Sequence, residues 1–215
     1  ETERASLVKT LSEDGKVQLE EKRFDSIGPV IGSELKRKAV IAIVLVILCI
    51  VLFITFVFRK VSEPVASWKY GVVAIIALIH DIVIPAGVFA LLQHFRGAEI
   101  DILFTTALLA ILGLSINDTI VVFDRIRENL RVNKETRGKE DFETIVGKSM
   151  NQTYLRSFNT SFTVILVLLS LFLFGGDTTK NFALVLLFGM IAGTYSSIFL
   201  ASPLLVVLNN WQKKK

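Results

Sequence analysis

Five long apolar stretches constrain the fold of this 215-residue chain more than any other feature. About 20 apolar residues, rising 1.5 Å each, cross a hydrocarbon core about 30 Å thick, so stretches of this length predict transmembrane helices. Charged residues make up only 20% of the chain, a composition that is uncommon in water-soluble domains. We therefore predict an all-α polytopic membrane protein, with spans at about residues 39–58, 70–92, 102–123, 158–174 and 182–208.

The first 35 residues are much more polar than the rest of the chain. They contain a helical pattern at residues 2–11 and an extended pattern at residues 17–24. A piece this short cannot hold a core of its own. We therefore expect residues 1–35 to end a small α/β domain whose remainder precedes Glu1, and residues 36–215 to form the transmembrane domain.

Lys and Arg residues are concentrated in alternate loops, which predicts the orientation of the chain. Fourteen lie between spans one and two, between spans three and four, and after span five, whereas the other two loops hold Arg96 and Lys180. Basic loop residues are retained on the cytoplasmic side during insertion. We therefore predict a cytoplasmic C-terminus and an N-terminal segment on the outer side.

Segment 124–157, between spans three and four, combines many charges with one apolar helical face. This pattern is typical of a short amphipathic helix at the membrane surface. The alternative is a solvated loop, because Gly147 interrupts the pattern. The apolar face consists of Phe142, Ile145, Val146, Met150 and Tyr154.

Asp118 in the third span is the strongest candidate for a functional residue. An ionised carboxylate is costly in hydrocarbon, so it needs a partner, a proton or water. Arg156 enters the fourth span from the same side, so an ion pair is geometrically reasonable, although this arginine could instead extend to lipid headgroups. We predict a proton relay made of Asp118, Arg156, Asn117, Thr119 and Ser115.

Polar side chains are also dense at the start of the fourth span. Lipid could not satisfy so many hydroxyl and amide groups, so their density predicts a hydrated interior lined by protein. They are Asn151, Gln152, Thr153, Ser157, Asn159, Thr160, Ser161 and Thr163.

Asp81 and His80 form a second polar pair, in the middle of the second span. Pro85 follows one turn later and leaves a backbone carbonyl of this span unpaired. The pair is either a secondary relay or a structural polar contact with a neighbouring helix. The residues alone leave both interpretations open.

Small residues recur at a spacing of four in the fifth span, at Gly189, Gly193 and Ser197. Such a stripe lets another helix approach closely. We predict that it packs against a helix of this chain or of a partner.

Catalytic and cofactor motifs are absent from the sequence. It has no Walker loop, no Gly-x-Ser-x-Gly and no Cys/His metal spacing, and Cys49 is its single cysteine. An intramembrane aspartyl protease is disfavoured because Asp118 follows Ser-Ile-Asn rather than Gly-x-Gly. We therefore predict a non-enzymatic protein with no metal, no cofactor beyond a coupling proton, and no nucleic-acid partner.

Several segments resemble SecF, a membrane subunit of the bacterial SecD/SecF protein-export complex. The resemblance extends from about residue 24 to the C-terminus and is most specific between residues 115 and 129. Tyr154 departs from the pattern, since relatives often carry Leu there. The segments are residues 28–32, 78–81, 111–119, 121–129, 151–156 and 193–199.

The resemblance implies a six-helix bundle of the resistance-nodulation-division superfamily, of which this chain holds five spans and the end of a periplasmic domain. It implies that the conserved membrane acid and arginine of the family fall on Asp118 and Arg156. It also implies a location in the bacterial inner membrane, surrounded by lipids, and proton-motive-force-driven export of preproteins. The implied partners are SecD, the SecYEG channel, the translocating preprotein and, indirectly, the SecA motor.

Two other functions stay open at this point. The chain could be half of a proton-driven exporter of small molecules or lipids from the same superfamily. It could also be a structural scaffold, with SecD performing all the proton chemistry.

Overall fold

The structure is a computed structural model that describes residues 29–58, 66–96 and 101–213. Within these residues, five helical runs are long and apolar enough to cross a membrane, the last being Thr179–Trp211. The chain is thus a multi-pass helical membrane protein, as the apolar stretches predicted. The helices are α1 (Pro29–Val57), α2 (Ser67–Arg96), α3 (Ile102–Glu135), α4 (Phe142–Phe174), α5 (Asp177–Tyr195) and α6 (Ser202–Lys213), with a π-helical segment (Ser196–Ala201) between the last two.

Two compact units make up the chain, residues 1–37 and residues 38–215. The first unit is described from residue 29 onward, as the start of α1. Proline favours the first helical position because the N–H that it lacks would have no partner within the helix. The α/β character expected of the N-terminal segment concerns residues 1–28, which lie outside the described residues.

The helices α3 and α4 are longer than the apolar stretches that predicted them. α3 continues through charged residues to position 135, and α4 begins at position 142. Segment 124–157 was expected to contain a short separate amphipathic helix. Instead residues 124–135 continue α3, residues 142–157 are the first part of α4, and residues 136–141 connect the two. Phe142, Ile145 and Val146 are buried in the same core cluster as Ile126 of α3, so the extension is stabilised by packing.

Aspartate caps fix the starts of α3 and α4. Asp101 accepts a hydrogen bond from the backbone N–H of Phe104 at 2.8 Å, and Asp141 accepts one from Thr144 at 3.2 Å. Each cap satisfies an N–H that has no partner inside the helix and is worth about 1 kcal/mol. The caps therefore define where each long helix begins.

α5 packs against α2, α3 and α4, and its glycines allow this close approach. A Cβ atom at Gly189 would overlap the side chain of Ile111, and one at Gly193 would lie 3.0 Å from Cβ of Ser115. Both neighbours are on α3. The small-residue stripe therefore faces α3 of the same chain.

The π-helical segment ends directly before Ser202 and Pro203. Proline lacks the N–H that the carbonyl four residues earlier would accept, and its ring clashes with that carbonyl. The wider π turn accommodates this break and is a type of turn often found at functional sites. Ser196 and Ser197 of this segment are buried, and the segment contacts α2 and α3.

Candidate functional site

Asp118 lies inside the contact between three helices. Its side chain is 4% exposed, and its Oδ2 atom accepts a hydrogen bond from Ser161 Oγ of α4 at 3.3 Å. Thr194 of α5 donates in turn to Ser161 at 2.6 Å. A chain of hydroxyl groups thus connects α5, α4 and α3 at this carboxylate.

Arg156 is exposed and forms no ion pair with Asp118 within the described residues. The expected direct contact is therefore not present in this structure. The reason is helical geometry, since at 100° per residue Arg156 is rotated about 140° from Ser161, the α4 residue that faces Asp118.

The other residues predicted to surround Asp118 are spread over different faces of α3. Ser115 donates a hydrogen bond to Asp81, and Thr119 shares one with Ser197 at 2.9 Å. Asn117 is exposed. The structure therefore divides the predicted relay between Asp118 on one side and Asp81 on another.

Asp81 is fully buried and is the centre of a second polar cluster. Its carboxylate accepts hydrogen bonds from Ser115 of α3 and from Ser196 of the π-helical segment at 2.8 Å. His80 Nδ1 lies 2.9 Å from its other oxygen, and the His80 ring stacks on Tyr195. One carboxylate thus joins α2, α3 and the π-helical segment in the middle of the fifth span.

Sequence reasoning did not assign site roles to Ser161, Thr194 and Ser196. Ser161 is one of eight polar side chains at the start of the fourth span, and the sequence pattern does not distinguish it from the other seven. Thr194 and Ser196 adjoin the small-residue stripe, which signals helix packing rather than chemistry. The sequence did offer one signal, which is position around the helix. Thr194 and Ser196 lie one and three residues after Gly193, so a stripe that packs against α3 also places them at the contact with neighbouring helices.

The two clusters consist of carboxylates surrounded by hydroxyl groups. Hydroxyl groups both donate and accept hydrogen bonds, so they can stabilise a carboxylate in either protonation state. Within the described residues, no three His, Cys, Asp or Glu side chains are grouped as metal ligands. The groups that the site presents are two buried carboxylates, one imidazole and a set of hydroxyls.

Residues 7–211 match a protein family described as protein export membrane protein SecD/SecF, C-terminal. This match covers nearly the whole chain, including both carboxylate clusters. The chain belongs to the SecD/SecF family. The resemblance that the sequence carried is confirmed.

Individual relatives agree with this family. The chain is similar to the protein translocase subunit SecF of Thermobaculum terrenum, with 52% identity over 91% of this chain and 58% of the relative. It is also similar to SecF of a Synechocystis species, with 41% identity over 99% of this chain and 64% of the relative. The chain thus spans about three fifths of the length of these SecF proteins.

Solved structures give the same fold. The crystal structure of SecDF, a translocon-associated membrane protein from Thermus thermophilus, superposes with a TM-score of 0.79 at 37% identity. That match covers 98% of this chain and 27% of the SecDF chain. The helix arrangement that positions Asp118 and Asp81 is therefore one found in SecDF.

Proposed function

We propose that this chain is the membrane part of a SecF-type subunit that uses proton flow to assist protein export. Its relatives are named as protein translocase subunits, and a solved relative is described as translocon-associated. In this proposal the chain is not an enzyme and no chemical bond of the preprotein changes. Its work is a conformational cycle driven by protons.

The observation that carries the proposal is the setting of Asp118. Its carboxyl group is buried and hydrogen-bonded to the neutral hydroxyl of Ser161, and among the described residues it forms no ion pair with Arg156. A neutral carboxyl group is compatible with this setting, whereas a charged one favours the approach of a cation or water. Proton binding and helix arrangement are thereby thermodynamically linked.

The linkage gives a cycle with a defined role for each residue. Loss of the proton leaves a charged Asp118 and favours a state in which α4 brings Arg156 toward it. Gain of the proton favours the separated arrangement. If the two states open to opposite sides of the membrane, each cycle carries a proton across and moves the parts of the protein outside the membrane.

The partner in this proposal is SecD, in the bacterial inner membrane, next to the SecYEG channel. The support for SecD is that a relative in Thermus thermophilus is named SecDF, and the present chain corresponds to 24% of it at 40% identity. SecA takes part indirectly, as the motor that moves the preprotein before this step. Proton coupling is inferred from Asp118, and protein rather than small molecules is inferred as the exported cargo from the protein-export family.

Export measured in membrane vesicles tests the proposal. The complete SecF-type protein that carries this chain is produced with its SecD, and export of a preprotein is followed with and without an imposed proton gradient. Asp118→Asn preserves the size of the side chain but removes its titration, so gradient-dependent stimulation is expected to disappear. Asp118→Glu is expected to retain part of it. Full stimulation with Asp118→Asn would show that this residue is structural.

A further inference from the structure

The buried face of α4 carries a row of hydroxyl groups that leads to Asp118. Ser149, Thr153, Ser157 and Ser161 follow one another at a spacing of four residues, and each is 4% exposed or less. Residues four apart lie along one ridge of a helix, about 6 Å per step. This hydroxyl row therefore extends about 18 Å along α4, and its last member donates to Asp118.

The other end of the hydroxyl row meets more exposed polar groups. The amide nitrogen of Asn129 on α3 donates to Ser149 Oγ at 2.8 Å and to Gln152 Oε1 at 2.9 Å. Gln152 is exposed. The row thus begins near the α3–α4 connection, at side chains that water can reach, and ends at the carboxylate.

Ser157, in the middle of the row, has no protein partner for its hydroxyl group. It is 2% exposed, and no hydrogen-bonding group of the described residues reaches its Oγ atom. An unsatisfied buried hydroxyl costs about 1–3 kcal/mol, and such groups in proteins are nearly always paired with protein or water. The hydroxyls of Thr153 and Ser161 lie one turn away on either side, so a water beside Ser157 would have further polar partners within the row.

The part of α3 between the two polar ends of the row is apolar. On α3, Val122 and Ile126 lie between Asp118 and Asn129, and both are buried and apolar. Asn129 pairs with Ser149 and Asp118 pairs with Ser161, so these two apolar residues lie opposite the middle of the row. Between Asn129 and Asp118, the polar side chains at the contact of α3 with α4 are therefore those of α4.

We propose that the hydroxyl row binds a file of water molecules and conducts protons between the α3–α4 end of the bundle and Asp118. This inference rests on the proposed role of Asp118 as the proton carrier. Other buried hydroxyls of the row already donate to backbone carbonyls, Ser149 to Ile145 at 2.7 Å and Thr153 to Ser149 at 2.9 Å. Both oxygen lone pairs of Thr153 stay available to accept from water, and Ser149 keeps one, since it already accepts from Asn129.

The proton transfer balances along the row. A hydronium ion at the entrance gives a proton to the next oxygen of the file. That oxygen belongs to a water or to a hydroxyl that has rotated away from its backbone carbonyl, and it releases another of its protons on its far side to the following oxygen. The last transfer forms an O–H bond on the Asp118 carboxylate and leaves neutral water at the entrance. Rotation of the hydroxyl groups then restores the row, and the reverse sequence releases the proton.

Proton uptake by proteoliposomes tests the row with matched variants. The complete SecF-type protein and SecD are reconstituted with a pH-sensitive dye inside, and the rate of uptake is measured under an imposed gradient. Thr153→Val removes a row hydroxyl without changing shape, and Ser157→Ala removes the hydroxyl that has no protein partner. The controls are Thr163→Val and Ser170→Ala, which remove exposed hydroxyls that donate to backbone carbonyls of the same helix.

Both row variants should slow uptake by about tenfold, the factor for losing one hydrogen bond of about 1.4 kcal/mol along the path. The controls should stay within about twofold of the parent, and Ser157→Thr, which retains a hydroxyl, should conduct better than Ser157→Ala. If both row variants take up protons at the parental rate while Asp118→Asn takes up none, the hydroxyl row is not the proton path, although Asp118 remains the proton carrier. Parental uptake in Asp118→Asn would instead overturn the proposed function.

Discussion

Ser196 donates a hydrogen bond to the buried carboxylate of Asp81, with 2.8 Å between the two oxygen atoms. The same oxygen of Asp81 also accepts from Ser115 of α3. One carboxylate in α2 therefore fixes the π-helical segment against α3. Because Asp81 is fully buried, the two serines have no access to bulk water as an alternative partner.

Asp81→Leu should strongly lower the thermal stability of the protein. It leaves the buried hydroxyl of Ser115 without its acceptor, at about 1–3 kcal/mol, whereas Ser196 can still donate to the backbone carbonyl of Gly193 at 3.1 Å. Asp81→Asn keeps one carbonyl oxygen as an acceptor and should be less destabilising. Melting temperatures of the purified variants in detergent check this order, and a leucine variant as stable as the parent would contradict the role of Asp81 as a structural junction.

Leucine at Gly189 and Gly193 together should separate α5 from α3 and lower the melting temperature. A Cβ at either glycine already meets Ile111 or Ser115, and overpacking of this kind typically costs about 1–3 kcal/mol. Leucine at Gly87 and Gly113 is the matched control, because a Cβ at those helical positions has no heavy atom within 4 Å. Equal melting temperatures for the two double variants would show that the glycine stripe does not determine the packing.

The distribution of basic residues predicts that Lys139 and Gly176 lie on opposite sides of the membrane. Single cysteines at these positions, in a protein whose Cys49 is replaced by serine, should react with an impermeant thiol reagent from opposite faces. Gly176 tolerates the change because a Cβ there meets no neighbour within 4 Å, and Lys139 is exposed. Reaction of both cysteines from one face would reject the predicted orientation.

The apolar stretches predicted the number of spans because helix length in a membrane is set by the thickness of the hydrocarbon core. They did not predict how far α3 and α4 extend beyond the core. Phe142 and Ile145 pack against the polar-rich end of α3, and this contact depends on two distant segments meeting. The hydropathy of one segment does not predict which other segment it will pack against.

The sequence also identified both buried acids, because a carboxylate in an apolar stretch is costly unless it has a role. It did not predict correctly which polar side chains lie near which acid. Ser115 and Thr119 lie 40° apart around α3, whereas Asp118 is rotated 60° to 100° from them at about 100° per residue. The hydroxyls of Ser115 and Thr119 consequently face Asp81 and the π-helical segment. Which hydroxyl lies near which acid depends on how the helices pack, and the sequence pattern does not predict that packing.

Arg156→Gln should reduce gradient-dependent export while leaving the amount of assembled protein unchanged. The arginine is exposed and makes no packing contribution to the core, but in the proposed cycle its charge approaches ionised Asp118. Arg156→Lys preserves the charge and should retain more activity than Arg156→Gln. The vesicle export assay measures the difference, and equal activity of the glutamine variant and the parent would remove Arg156 from the cycle.

The most direct test of the account is to observe the proton on Asp118. Infrared difference spectra of the complete SecF-type protein with SecD, recorded across a pH titration, report the carbonyl band of a protonated carboxyl group. We predict that one such band appears on acidification, is absent in Asp118→Asn and persists in Asp81→Asn. A spectrum that is unchanged by Asp118→Asn would contradict the claim that Asp118 takes up and releases the coupling proton.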